Sequence, residues 1–392
     1  MPPKPQLNPF VETMDAPPIP AVRQALTAYD GRHGPVLDLC QAVPGYAPHG
    51  DLLVALARTA GDAALAGYGD IQGERVLRDA LAADINSVYG GDVAAADLQI
   101  TAGGNQAFFV MALALAQPGD EVILIGPHYF NHDMTLRMLG ITVRVVDGDP
   151  EAGFLPDMAA IEAATHEKTR AIFIVTPNNP SGGIYPSTLI DALFVHCVKA
   201  GIVLVIDETY RDFLPAGSGP PHGLFAHQDW RDNFVHIYSF SKAYCIPGHR
   251  VGAIAAGGRI MTEIAKVMDN LQICAPRPVQ HALVGAIDAL KSWRDGNRDE
   301  IDRRRVAFER VIAAKGHWKI VSIGAYFAYL RHPFGDEHAM DVARRLAGDY
   351  GVLVLPGSCF GAGQEAYIRA AFANADAAII DSLSRRLPSQ WS

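Results

Sequence analysis

Six short, essentially apolar runs punctuate this chain, and stretches with helical spacing separate them. The runs are Leu98–Thr101, Val122–Ile125, Ala171–Val175, Val203–Ile206, Val235–Tyr238 and Val251–Ala255. A strand with one wet face alternates apolar and polar residues, whereas a strand covered on both faces is apolar throughout. The runs therefore predict an α/β fold with a mainly parallel sheet sandwiched by helices. Open sheets of this kind bind ligands beyond the carboxyl ends of their strands. In this chain the chemically suggestive clusters all follow directly after a run.

The rest of the chain divides around that sheet. Residues 1–49 are rich in proline, which predicts an extended arm associated with a smaller domain. Leu52–Leu65 and Arg75–Tyr89 have helical periodicity and open a large domain over 50–290. After about 290, a charged helical segment, Ser292–Ala314, leads into Ile320–Val321, Tyr326–Leu330, a helix near Met340–Tyr350 and Val352–Leu355. This predicts a smaller α/β domain over 291–392. Two domains suit 392 residues, because a single core stops growing beyond roughly 250–300 residues. The net charge is −9, from 33 Lys and Arg against 42 Asp and Glu, which argues against a nucleic-acid partner. The most basic stretch, Arg303–Arg305, reads as a solvated helix face. Five cysteines without a CxxC pair predict reduced thiols and no metal site. No signal-peptide pattern and no apolar run of membrane-spanning length is found, so the expectation is a cytoplasmic chain with no membrane partner.

The clusters themselves are specific. Leu98–Thr101 runs into Gly103-Gly104-Asn105 at the start of a helical stretch, where backbone N–H groups and the helix dipole favour an anion. Val122–Ile125 ends in Gly126-Pro127-His128-Tyr129, which presents an aromatic ring. Ala171–Val175 ends in Thr176-Pro177-Asn178-Asn179-Pro180-Ser181-Gly182, a rigid non-helical turn. Val203–Ile206 ends in Asp207-Glu208-Thr209-Tyr210, and a carboxylate at the mouth of an apolar strand calls for a cationic partner. Those runs of apolar residues before Asp-Glu also suit an ATPase, but no G-x-x-x-x-G-K-[ST] loop precedes them. Val235–Tyr238 delivers Ser239-Phe240-Ser241-Lys242, with Arg250 eight residues beyond the lysine. Anion ligands on both sides of one amine suit a phosphorylated aldehyde bonded covalently through that amine.

Together these motifs resemble the aminotransferase class I/II family, pyridoxal-phosphate (PLP) enzymes of transferase fold type I. The resemblance covers roughly residues 35–375. It implies that Lys242 is the Schiff-base lysine, that Asp207 pairs with the ring nitrogen, and that Tyr210 and Asn179 reach the ring's phenolic oxygen. By the same resemblance Tyr129 covers the ring, while Gly104, Asn105, Ser239, Ser241 and Arg250 hold the phosphate. Arg369, downstream of Pro356-Gly357-Ser358-Cys359-Phe360-Gly361, takes the substrate carboxylate, with Asn179 nearby. Tyr68, in Tyr68-Gly69-Asp70-Ile71-Gln72-Gly73, reaches the phosphate of a neighbouring subunit, which implies a homodimer. Two positions depart from the pattern: Gly104 stands where the family's phosphate-binding turn commonly has alanine, and Ala42, in Leu39-Cys40-Gln41-Ala42-Val43-Pro44, stands where the family usually has glycine, on the substrate side of the pocket. The implied activity is transfer of an amino group from an L-amino acid to a 2-oxo acid, by a ping-pong mechanism through pyridoxamine phosphate. A C–S β-lyase or other chemistry at Cα is the alternative. A non-enzymatic sensor half would need a DNA-binding domain, which residues 1–50 are too short and proline-rich to supply. The expected pocket aromatics are Tyr129, Tyr68 and Phe327, and with no clear second cationic site they suggest a neutral or aromatic donor.

Overall fold

The computed structural model describes residues 4–391; Met1, Pro2 and Pro3 of the arm lie outside them. Its centre is a seven-stranded sheet. The strands are β1 (Leu98–Thr101), β2 (Glu121–Gly126), β3 (Thr142–Asp147), β4 (Thr169–Val175), β5 (Val203–Asp207), β6 (Phe234–Ser239) and β7 (Gly252–Ala256). Their order across the sheet is β1-β7-β6-β5-β4-β2-β3. The pairs from β6 to β3 are parallel, whereas β7 runs antiparallel to both β6 and β1. The reversal follows from the short β6–β7 connection, which is occupied by the Lys242 segment instead of a full crossover helix.

Strand alternation places the two cores. Ile172, Ile174, Leu204 and Ile206 point to one face, against Leu77, Leu81 and Ile85 of the helix Arg75–Tyr89. Phe173, Val205 and Ile237 point to the other, against Phe108 and Met111 of the helix Gly104–Leu115 and Ile264 and Met268 of the helix Gly258–Gln272. Each such side chain contributes roughly 1.5–3 kcal/mol by leaving water, so a sheet covered on both sides is strongly favoured. Strand β3 has no counterpart among the apolar runs. It is an edge strand, mostly exposed apart from Val146, and its sequence Thr-Val-Arg-Val-Val-Asp places the charges of Arg144 and Asp147 among the exposed positions.

A separate apolar cluster gathers residues from both ends of the chain, including Val22, Leu39, Phe308, Tyr329, Leu346 and Ile380. Its sheet contains β8 (Lys319–Gly324), β9 (Phe327–Arg331), β10 (Leu355–Pro356) and β11 (Tyr367–Ala370), in the order β10-β11-β9-β8 and wholly antiparallel. Leu37–Asp38 pairs in parallel with Val352–Leu353, tying the N-terminal segment to the C-terminal one. Two expectations are corrected here. The arm is not uniformly extended: it forms the helices Pro9–Glu12 and Pro18–Gln24, and Val22 is buried. Proline is tolerated at these positions because the first helical N–H groups have no intrahelical partner to lose. The Arg303–Arg305 face is also not wholly solvated. Arg304 is buried, donating to Glu300 and to the Ala373 carbonyl, and only its neighbours turn outward. No helix among the described residues is long and apolar enough to cross a membrane.

Candidate active site

A cavity of about 550 Å³ lies at the carboxyl ends of the parallel strands, between the large sheet and the second core. Gly104, Asn105, Tyr129, Asn179, Asp207, Tyr210, Ser239, Ser241, Lys242, Arg250, Arg369 and Ala42 all line it. Tyr68 does not; it stands 79% exposed on the surface of this chain. Phe327 is fully buried and sits under the Arg369 guanidinium, 4.8 Å from it, so it supports the pocket instead of lining it.

Backbone geometry explains why these side chains converge. Gly103 (φ +86) caps the helix Gly104–Leu115, and any side chain there would collide with the Arg250 guanidinium. The first N–H groups of that helix therefore open toward the cavity. Opposite them, the Ser239 hydroxyl donates to Ser241 Oγ at 3.0 Å and accepts the Ser241 N–H. Arg250 has left-handed backbone (φ +51) and anchors its guanidinium on the Pro247 and Ala102 carbonyls. The turn after β4 is held by Asn178, whose Oδ1 accepts from the backbone and hydroxyl of Ser181. At its crest Gly182 (φ +76) meets the Gly324 backbone of β8 with no room for a Cβ. This contact fixes Asn179 toward Arg369, which donates to Asn179 Oδ1 at 2.9 Å.

The electrostatics set three groups apart. The Lys242 amine donates to the Ala42 carbonyl, and its pKa is pushed down to about 8 by burial, then by the nearby Arg369 and Arg250 charges. Asp207 is 8% exposed, and burial raises its pKa against the pull of Thr209, whose backbone N–H donates to Oδ1 at 2.9 Å. Its other oxygen faces His132 Nε2 at 3.7 Å, too long for a strong bond. Arg369 is 2% exposed and forms no ion pair with a carboxylate among the described residues; it donates instead to Asn179 and to the Cys40 carbonyl. The neighbour of Asp207 goes elsewhere. Glu208 turns to the opposite side, where Tyr89 donates to it at 2.6 Å and His222 and His236 flank it.

His132 and Thr209 line the same cavity, yet the motifs did not single them out. The signal for His132 was its place one helical turn after Tyr129, on the helix Phe130–Met138. Pro17 and Ile19, from the proline-rich arm, also close one side. Nothing in their local sequence marks them for that role.

PLP fits this donor set. Its phosphate matches the helix start, the serine pair and the Arg250 fork. A protonated ring nitrogen would supply the strong donor that buried Asp207 lacks. A lysine whose amine is half-neutral near pH 8 suits bonding to an aldehyde. Such a site on a mainly parallel sheet defines the fold type I class of PLP-dependent enzymes. The model for the aminotransferase class I and II family matches residues 34–387, and the chain belongs to that family. It is similar to an aromatic aminotransferase, ISS1, of Arabidopsis thaliana, 29% identical over 86% of this chain and 84% of the relative. An aspartate/prephenate aminotransferase of Thermus thermophilus is 27% identical over 81% of this chain and 82% of its own length. Among solved structures, aspartate aminotransferase from Thermus thermophilus with maleate superposes with a TM-score of 0.88 at 26% identity, covering 98% of this chain and 99% of that one.

Proposed function

We propose that the cavity moves an amino group from a neutral or aromatic L-amino acid to a 2-oxo acid in two half-reactions, and that Arg369 selects the substrate's α-carboxylate. One observation carries this reading: a buried guanidinium with no carboxylate partner among the described residues shares a cavity with a partly deprotonated lysine. A charge left unpaired in the interior is costly, and a substrate carboxylate is the anion that would compensate it. PLP, when bound, supplies an electron sink for bond-breaking at Cα. The chain's residues do the rest. Ser239, Ser241, Arg250 and the N–H groups of Gly104 and Asn105 hold the phosphate. Asp207 keeps the proton on the ring nitrogen, Tyr210 and Asn179 bind the ring's phenolic oxygen, and Tyr129 offers an aromatic face. The Lys242 amine, once free, takes the proton from the substrate's Cα as a general base.

The cationic side chains lining the cavity are Lys242, Arg250 and Arg369, apart from the buried and neutral His132. With those three assigned, the described residues lining the cavity offer no further cation to a side-chain carboxylate, and Pro17, Ile19, Phe130 and Leu355 present apolar walls. Ala42 adds a methyl on the substrate side. Single-turnover mixing of the PLP-loaded enzyme with individual amino acids tests the reading. Phenylalanine, tyrosine, methionine or leucine should each release its 2-oxo acid stoichiometrically, without ammonia. Aspartate should react at least ~10-fold more slowly, on the scale of discrimination that pocket contacts give. Pyruvate and ammonia from a cysteine conjugate would establish the lyase instead, and a preference for aspartate would remove the neutral-donor assignment.

The reading extends to a cytoplasmic homodimer, with 50–290 as the cofactor domain and 1–49 joined to 291–392 as the smaller one. The separate core that unites the chain ends supports that division. Exposed Tyr68, Leu271 and Ile273 give the second copy an apolar surface to cover. Five unpaired cysteines suit a reducing compartment. Sedimentation should give twice the 42.1 kDa chain mass. Tyr68→Phe should weaken PLP binding by about threefold to tenfold, the value of one hydrogen bond. A fully active monomer would end the dimer proposal.

A further inference from the structure

Behind Asp207 lie two buried histidines for which amino transfer itself provides no role. His132, 3% exposed, sits between Phe108 and Phe173 with ring centroids 4.3 and 4.5 Å away. Burial, reinforced by His128, pushes its pKa down to about 3, so its ring is neutral and carries a single N–H. Its Nε2 faces Asp207 Oδ2, while its Nδ1 has no partner among the described residues. His128, 8% exposed, also has an Nδ1 with no partner among the described residues.

Both rings line one void of about 10 Å³, walled otherwise by Leu124, Ile125, Phe173, Ile174, Val175 and Asn178. That volume is about one water probe, and buried waters typically make three hydrogen bonds to otherwise unsatisfied groups. Two such groups are present among the described residues, and a third group can join them. The two Nδ1 atoms can each accept, and the Asn178 amide, whose contact with the Val175 carbonyl is a long 3.5 Å, has an N–H to give.

We propose that a single buried water in this void donates to Nδ1 of both His128 and His132, and that His128 is thereby a positioning residue for Asp207. A proton donated to His132 Nδ1 leaves the ring's own N–H on Nε2, directed at the carboxylate. The opposite tautomer would place a lone pair against Asp207 and oppose its ionised form. His128 thus governs how well Asp207 holds a cationic partner, without touching cofactor or substrate. The inference rests on the reading of Asp207 as the ring-nitrogen partner.

Two measurements on the cofactor-free protein test the relay by itself. A high-resolution crystal structure of the wild-type chain should show one ordered water within hydrogen-bond distance of both Nδ1 atoms. Spectra of [15N]histidine-labelled protein should show His132 protonated on Nε2 alone. In His128→Leu the His132 signal should become a mixture of tautomers, and His128→Asn, which keeps an acceptor, should restore it. A dry void, or a His132 tautomer indifferent to His128→Leu, overturns the proposal. PLP affinity then separates the two levels. His128→Leu should lower it about threefold to tenfold, as for one hydrogen bond, with the amino-acid KM unchanged. A flipped tautomer with unaltered PLP affinity would condemn the Asp207 assignment and with it the function given to His128.

Discussion

Lys242→Ala should eliminate amino transfer, lowering kcat/KM by at least ~10⁴-fold. A positioned general base contributes about 10²–10⁴-fold, and in the proposed site this side chain is also the covalent anchor of the cofactor. Its surroundings prepare it for both tasks. An ordinary lysine at pKa 10.5 is neutral in about one molecule in three thousand at pH 7. With the value depressed to about 8, roughly one in ten is neutral at that pH. Burial is the main cause and the Arg369 and Arg250 charges follow, so the protonated form is the one disfavoured. The rate at which wild-type apoenzyme takes up PLP should therefore rise with pH and level off above about 8. Lys242→Arg keeps a cation but provides no nucleophile, and should be as inactive as the alanine variant. Borohydride reduction of the wild-type holoenzyme followed by peptide mapping should locate the cofactor on the Lys242 peptide. Residual activity above ~1% in Lys242→Ala, or cofactor on another peptide, would refute the assignment.

The residues that read clearly in the sequence are those whose signal is local. Val203–Ile206 announces a buried strand because both of its faces must be apolar, and Asp207 then stands out as the carboxylate that ends it. Lys242 reads similarly, through two hydroxyls and an arginine within one short connection. Strand β3 escaped because an edge strand obeys solubility instead of burial, and its Arg144 interrupts any apolar run. The arm escaped because prolines mark both extended chain and helix starts, and only the packing of Val22 into the second core decides between them. Ile19 reaches the cavity through tertiary placement alone, whereas His132 is marked only by helix phase, one turn after Tyr129. Arg304 reads as surface in a triplet of arginines, yet helix phase turns it inward to a backbone carbonyl. Sequence spacing shows chemistry that is laid out along the chain, whereas chemistry assembled across it becomes visible only in the fold.

Arg369→Met should separate function from stability. Activity toward amino acids should fall by about 10²–10⁴-fold, the loss of a bidentate charge-assisted grip worth roughly 3–6 kcal/mol. The loss should appear in KM as well as kcat, because the carboxylate is bound in both ground and transition states. Apoenzyme stability should move the other way. The guanidinium is 2% exposed, its Nε has no partner among the described residues, and burial lowers its pKa, so the folded chain carries an uncompensated cation. The faces of Phe327 and Phe360, 4.8 and 5.3 Å away, offset part of that cost. Methionine has similar length, keeps the contact with those rings and removes the charge. The Tm of the apo variant should match or exceed that of the wild type, while a saturating carboxylate inhibitor should raise Tm only in the wild type. The same substitution removes the positive neighbour that helps depress Lys242, so the pH at which PLP uptake levels off should shift upward from about 8. A variant that loses stability along with activity would show Arg369 to be a structural residue that happens to face the cavity. A variant that keeps full activity would place the substrate carboxylate elsewhere.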